Sequence, residues 1–102
     1  MINLYNKTSY NCSKIVATNY STSFSIGIRM LKKEFRDPVY AIYGYVRIAD
    51  EIVDTFHDYD KKLLLENYKK ATYEALETKI SSNPVINSFQ EVVHKYKIDI
   101  EL

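Results

Sequence analysis

Apolar residues recur along this chain every three or four positions and do not alternate with polar ones, which predicts helices throughout and no strand. The periodic segments place a first helix near residues 6–19, a short one near 22–31, a long one over about 34–56 and a fourth over about 60–80. In the fourth, Leu64, Tyr68, Ala71 and Ala75 follow one face, Asp58 or Asp60 stands ready to cap its start, and Glu66 and Lys70 form an outward pair one turn apart. Ser81-Ser82-Asn83-Pro84 is a clean boundary, with asparagine as cap and proline at the first position of a fifth helix. There Val85, Phe89, Val92, Val93 and Tyr96 make an amphipathic stripe that needs a partner surface. Gly44 falls inside the long helix, where it costs about 1 kcal/mol relative to alanine, so close passage of another backbone is expected there.

The long helix is distributed differently from a solvated one. Tyr43, Arg47, Asp50, Glu51 and Asp54 share roughly a third of the circumference at about 100° per residue. The remainder, Val39, Ala41, Ile42, Tyr45, Val46, Ile48, Ala49, Ile52 and Val53, carries no charge. A helix apolar on most sides is expected to be buried, and buried carboxylates are costly unless paired or bound to metal. The acids are therefore expected to face a cavity. Asp50 and Asp54, one turn apart, can hold a hard divalent cation through oxygen and leave positions open for water and phosphate, as magnesium prefers. Spacing alone equally allows Arg47 simply to pair with Asp50 or Glu51.

Three ordered blocks narrow the choice: Tyr20-Ser21-Thr22-Ser23-Phe24, then Arg36-Asp37-Pro38-Val39-Tyr40-Ala41-Ile42-Tyr43, then Arg47-Ile48-Ala49-Asp50-Glu51-Ile52-Val53-Asp54. Together they resemble the amino-terminal part of the squalene/phytoene synthase family, from about residue 5 onward and most strongly between Ser21 and Asp54. The resemblance implies an all-α isoprenoid synthase helical bundle, here incomplete, and magnesium-dependent head-to-head condensation of two prenyl diphosphates. It implies geranylgeranyl or farnesyl diphosphate as substrate, with a lean toward the phytoene type over the squalene or dehydrosqualene type.

By the same resemblance, Asp50 and Asp54 match the outer acids of the family's first aspartate-rich motif, with Glu51 where many relatives carry a second aspartate. These three are the implied metal ligands. Asp50, Asp54 and Tyr43 are the implied catalytic residues, and Ser21, Ser23, Phe24 and Arg47 the implied contacts to the substrate diphosphate, a role Tyr43 shares. Tyr20 departs from the histidine often found before the serines, so that histidine's contact is not carried over. The residue chemistry agrees: serines at a helix start with free amides suit phosphate, arginine bridges diphosphate oxygens in a planar fork, and aromatic faces stabilise a carbocation. Ser21 and Ser23 are equally ordinary helix caps, and most of the ten tyrosines are core candidates.

Glu77, Glu91 and Asp99 form no second aspartate-rich cluster, so only half a metal site is expected from this chain. Residues 1–102 are accordingly read as an amino-terminal fragment of one helical synthase domain, inactive alone, with a carboxy-terminal part missing and Lys97–Leu102 as the start of a further segment. The competing reading is a non-catalytic helical interaction module whose acids are merely salt-bridged.

Composition removes other classes. A net charge of +1 leaves no basic stripe for nucleic acid, and Arg29, Lys32, Lys33 and Arg36 make at most a local patch. No apolar run reaches the roughly 18 residues of a membrane span, so a cytoplasmic location is expected and lipid substrates leave peripheral membrane attachment open. The single cysteine, Cys12, excludes an internal disulfide. His57 and His94 lack metal-ligand spacing, and no phosphate-cradling glycine loop or paired nucleophile and base stands out.

Overall fold

The computed structural model describes residues 1–100; Glu101 and Leu102, the end of the expected further segment, lie outside the described residues. Five helices follow one another: α1 (Ile2–Tyr20), α2 (Thr22–Arg29), α3 (Lys33–Asp54), α4 (Lys61–Thr78) and α5 (Pro84–Tyr96). Among the described residues there is no strand. Helix boundaries carry the chemistry expected of them. Asp60 accepts the Leu63 amide at 3.0 Å to open α4, and Asn83 accepts those of Val85 and Ile86 at 3.0 and 3.3 Å to open α5. Both α4 and α5 end on a lysine in the left-handed region, Lys79 and Lys97.

Helices α1, α3 and α5 pack mutually, α4 covers α3 and α5 from one side, and α2 lies against α1 and α3. The larger apolar core joins α3, α4 and α5 through Tyr45, Ile52, Tyr68, Ala75, Ile86, Phe89 and Val93. Its centre is Tyr45, stacked on Phe89 at 3.9 Å between centroids and on Tyr68 at 5.0 Å. Tyr68 donates its hydroxyl proton to the Tyr45 carbonyl at 2.9 Å. Thr72 spends its proton on the Tyr68 carbonyl, so Tyr45 is the donor in its 2.8 Å bond with Thr72. Burial pushes both phenols above the ordinary tyrosine range. A smaller core of Ala17, Ile28 and Tyr40 joins α1, α2 and α3, with Val39 and Tyr43 at its edge.

The α1–α5 seam is polar instead. Ser13 and Ser88 share a 2.7 Å hydrogen bond, and Asn87 donates to Asn6 and Ser9 while accepting from the Ser81 amide and Gln90. Tyr5 donates to the Ser81 carbonyl. The α1 helix begins at Ile2, earlier than the start near residue 6 that the sequence suggested, and the bonds from Tyr5 and Asn6 tie this added turn to the rest of the fold. His94 is structural, its Nε2 2.9 Å from the Leu76 carbonyl and its Nδ1 2.8 Å from that of Gln90.

Gly44 meets its expected backbone. A Cβ there would lie 2.9 Å from Ser13 Cβ and 3.0 Å from Ser13 Cα, so α1 and α3 cross at a point only glycine allows. The expectation that the whole uncharged remainder of α3 is buried fails for Ile42, Val46 and Val53, which are exposed. With α1, α2, α4 and α5 covering the Tyr40–Tyr45–Ile52 side, no described helix lies over theirs. Similarly Leu64 and Tyr96, expected on buried faces, are exposed.

Candidate active site

Ser21 alone joins α1 to α2. Its amide donates to the Ala17 carbonyl at 3.0 Å to finish α1, and its hydroxyl accepts the Phe24 amide at 3.1 Å to start α2. So sharp a corner folds α2 back over α3. Phe24 thereby stacks on Tyr43, with centroids 4.2 Å apart and planes 22° from parallel. Tyr20, the last residue of α1, lays its ring 5.0 Å from the Arg47 guanidinium carbon. The serine-bearing corner and the acid-rich helix are therefore brought together, as the three sequence blocks require. Ser21 spends its oxygen on the cap, whereas Ser23 is exposed in the first turn of α2.

The acids stand around Arg47. Its guanidinium nitrogens lie 4.0 Å from Asp50, 3.7 Å from Glu51 and 3.9 Å from Asp54. These are ion-pair distances longer than a charge-assisted hydrogen bond, and Arg47 Nε, buried, makes no hydrogen bond. Asp50 and Asp54 side chains are 55% and 63% exposed. They look onto open surface among the described residues, which corrects the expectation that they face a cavity. The exposed residues Ile42, Val46 and Val53 run alongside them on α3 at helical spacing.

Glu51 behaves differently from its neighbours. It is buried, and hydrogen bonds from Thr55 and Tyr20, helped by the charge of Arg47, hold its carboxyl below the ordinary value of 4.5 against the upward push of burial. Donating to this carboxylate in turn raises the Tyr20 phenol. Glu51 Oε2 is left with no hydrogen bond. Among the described residues no three acids, cysteines or histidines converge on one metal position.

Two contributors escaped sequence reasoning. Tyr20 stands where the resemblance would have a histidine, and its place four residues before Phe24 is the signal that puts an aromatic ring at the corner. Lys61 donates to the Val53 carbonyl at 2.9 Å and to His57 Nδ1 at 3.1 Å, placing a cation at the end of α3 where no lysine had been anticipated. Its position in the first turn of α4, after a short loop, was the available signal.

The five described helices make an all-α chain, and the family its sequence matches has the all-α isoprenoid synthase fold. The chain belongs to the squalene/phytoene synthase family, whose sequence model matches residues 17–102 and so takes in all three blocks. Comparison with curated proteins and with solved structures returns no match.

Proposed function

We propose that this chain supplies the substrate-activating half of a prenyltransferase that condenses two prenyl diphosphates head to head, of the phytoene or squalene type. The observation that carries this reading is the pairing of Tyr20 with Arg47 and of Phe24 with Tyr43, which sets the α1–α2 corner against the acid-rich end of α3. An exposed apolar stripe beside exposed carboxylates suits a molecule with a hydrocarbon tail and a polyanionic head.

Magnesium fits the donor set at Asp50 and Asp54. Both offer open carboxylate oxygens, and magnesium takes one or two such ligands and completes its octahedron with water and phosphate. Local electrostatics favours a cation as well, because the three acids Asp50, Glu51 and Asp54 crowd the carbonyl end of α3 against two neighbouring cations, Arg47 and Lys61. When bound, the ion supplies charge neutralisation for a departing diphosphate. Arg47 would turn its guanidinium from the acids to the diphosphate oxygens. Glu51, held by Thr55 and Tyr20, pairs with the Arg47 guanidinium, Tyr20 lays its ring against it, and Glu51 serves the acidic set chiefly by positioning Arg47. Tyr43 and Phe24 offer an aromatic face to the allylic carbon as positive charge develops.

The alternative, a non-catalytic interaction module with a salt-bridged acidic helix, draws on the Arg47 ion pairs. Those pairs are long and two of the three acids are largely exposed, so they contribute roughly 0–1 kcal/mol and leave Arg47 available to a ligand. With Glu77, Glu91 and Asp99 forming no second cluster, the chain binds without turning over by itself. Calorimetric titration with farnesyl thiodiphosphate tests the proposal. Expected is binding that needs magnesium and weakens at least tenfold in Arg47→Gln; binding indifferent to both refutes it.

A further inference from the structure

The end of the molecule where α2 turns into α3 carries features that the proposed reaction leaves unused. Met30 protrudes from this turn at 84% exposure, with Leu31 and Phe35 exposed beside it and Ile26 one turn before it. Four cations, Arg29, Lys32, Lys33 and Arg36, share the segment with two acids, Glu34 and Asp37. The turn is held in shape: the Leu31 amide donates to the Ile28 carbonyl at 2.9 Å, and Arg36 Nε donates to the Leu31 carbonyl at 3.1 Å. Presenting Met30 and Leu31 to water is therefore a property of an ordered turn.

Immediately behind it lies a cleft of about 500 Å³, which Arg29, Lys33 and Arg36 share with Lys14 and Lys95. Three carboxylates, Glu34, Asp37 and Glu91, also line it, so cations prevail. No described helix is long and apolar enough to cross a membrane, so any attachment through these helices lies at the surface.

We propose that the α2–α3 turn is a peripheral membrane-docking device that inserts Met30 and Leu31 among acyl chains while its basic residues bind anionic phospholipid headgroups. A protruding apolar tip flanked by four cations against two acids complements a soft anionic bilayer, because insertion gains from apolar burial and each cation near the surface gains from the negative surface potential. A protein partner would have to supply a pocket for the tip and acids around it. The inference is independent of the chemistry proposed for the acidic end of α3.

Co-sedimentation of the full chain with vesicles tests it, comparing phosphatidylcholine alone with phosphatidylcholine mixed with phosphatidylglycerol. Binding is expected only to the mixed vesicles and to fall as salt rises. The Lys32→Gln/Lys33→Gln variant should bind on the order of 20-fold more weakly. Met30→Asp should also weaken binding, and inorganic phosphate at matched charge should not displace the chain. These residues are exposed, so circular dichroism of the variants should match that of the parent. Equal binding to both vesicle types, binding to neither, variants that bind like the parent, or full displacement by free phosphate would each overturn the proposal.

Discussion

Tyr20 sits with its ring 5.0 Å from the Arg47 guanidinium carbon and its hydroxyl bonded to Glu51, so one side chain touches both members of the Arg47–Glu51 pair. Tyr20→Phe keeps the ring and removes the bond. The Glu51 carboxyl, held low first by Thr55 and then by Tyr20, should then titrate at higher pH, which carbon-detected carboxyl resonances will report. A carboxyl lowered in the folded state stabilises above its ordinary value of 4.5, and that contribution disappears as pH falls through the lowered value. Parent and variant should therefore differ in stability at neutral pH and converge in acid. An unchanged Glu51 titration would remove Tyr20 from the account.

Gly44→Ala tests the crossing of α1 and α3. Helix propensity favours alanine by about 1 kcal/mol, but the new methyl would press on Ser13 Cα and its carbonyl oxygen, which are backbone and cannot rotate away. Overpacking costs about 1–3 kcal/mol and should prevail, with a net loss of up to about 2 kcal/mol in urea unfolding. A stabilised variant would show that the helices can part without cost.

The helices were legible because their punctuation is strong: Asp60 and Asn83 cap where the sequence placed caps, and the Val85–Phe89–Val92–Val93 stripe found its partners. Gly44 was legible because a helical glycine has few other reasons to exist. The polar seam was not, since Ser9, Ser13, Asn87 and Ser88 have the composition of a solvent face and become core only by bonding one another across distant segments. Ile42, Val46 and Val53 misled in the opposite direction, because periodicity shows which residues are apolar and not which have a neighbour. In the site, residue types announced Arg47 and the acids, whereas the Tyr20 contact depends on the one-residue corner at Ser21, a tertiary fact.

Asn87 is the hub of that seam, fully buried and joined to Asn6, Ser9, Ser81 and Gln90. Asn87→Ala should cost about 2 kcal/mol or more, because buried donors lose their acceptor. The Ser81 amide in particular should exchange with deuterium much faster. Preserved protection at Ser81 would show that another acceptor replaces Asn87.

Asp50→Asn and Asp54→Asn separate folding from binding. Three acids share one arginine near the negative end of α3, so neutralising one should change stability by no more than about 0.5 kcal/mol and leave helicity intact. Magnesium-dependent retention of a prenyl diphosphate analogue should nevertheless disappear. A variant that unfolds would assign these acids a structural role.

The central claim, that the acidic end of α3 holds a divalent ion together with diphosphate, is tested most directly by paramagnetic broadening of backbone amide resonances with manganese standing in for magnesium and pyrophosphate present. The account predicts that broadening centres on Asp50 and Asp54, reaches Arg47 and Tyr20, and vanishes in the Asp50→Asn/Asp54→Asn double variant. Broadening spread evenly over the acidic surface, or centred elsewhere and unaffected by the double variant, would contradict it.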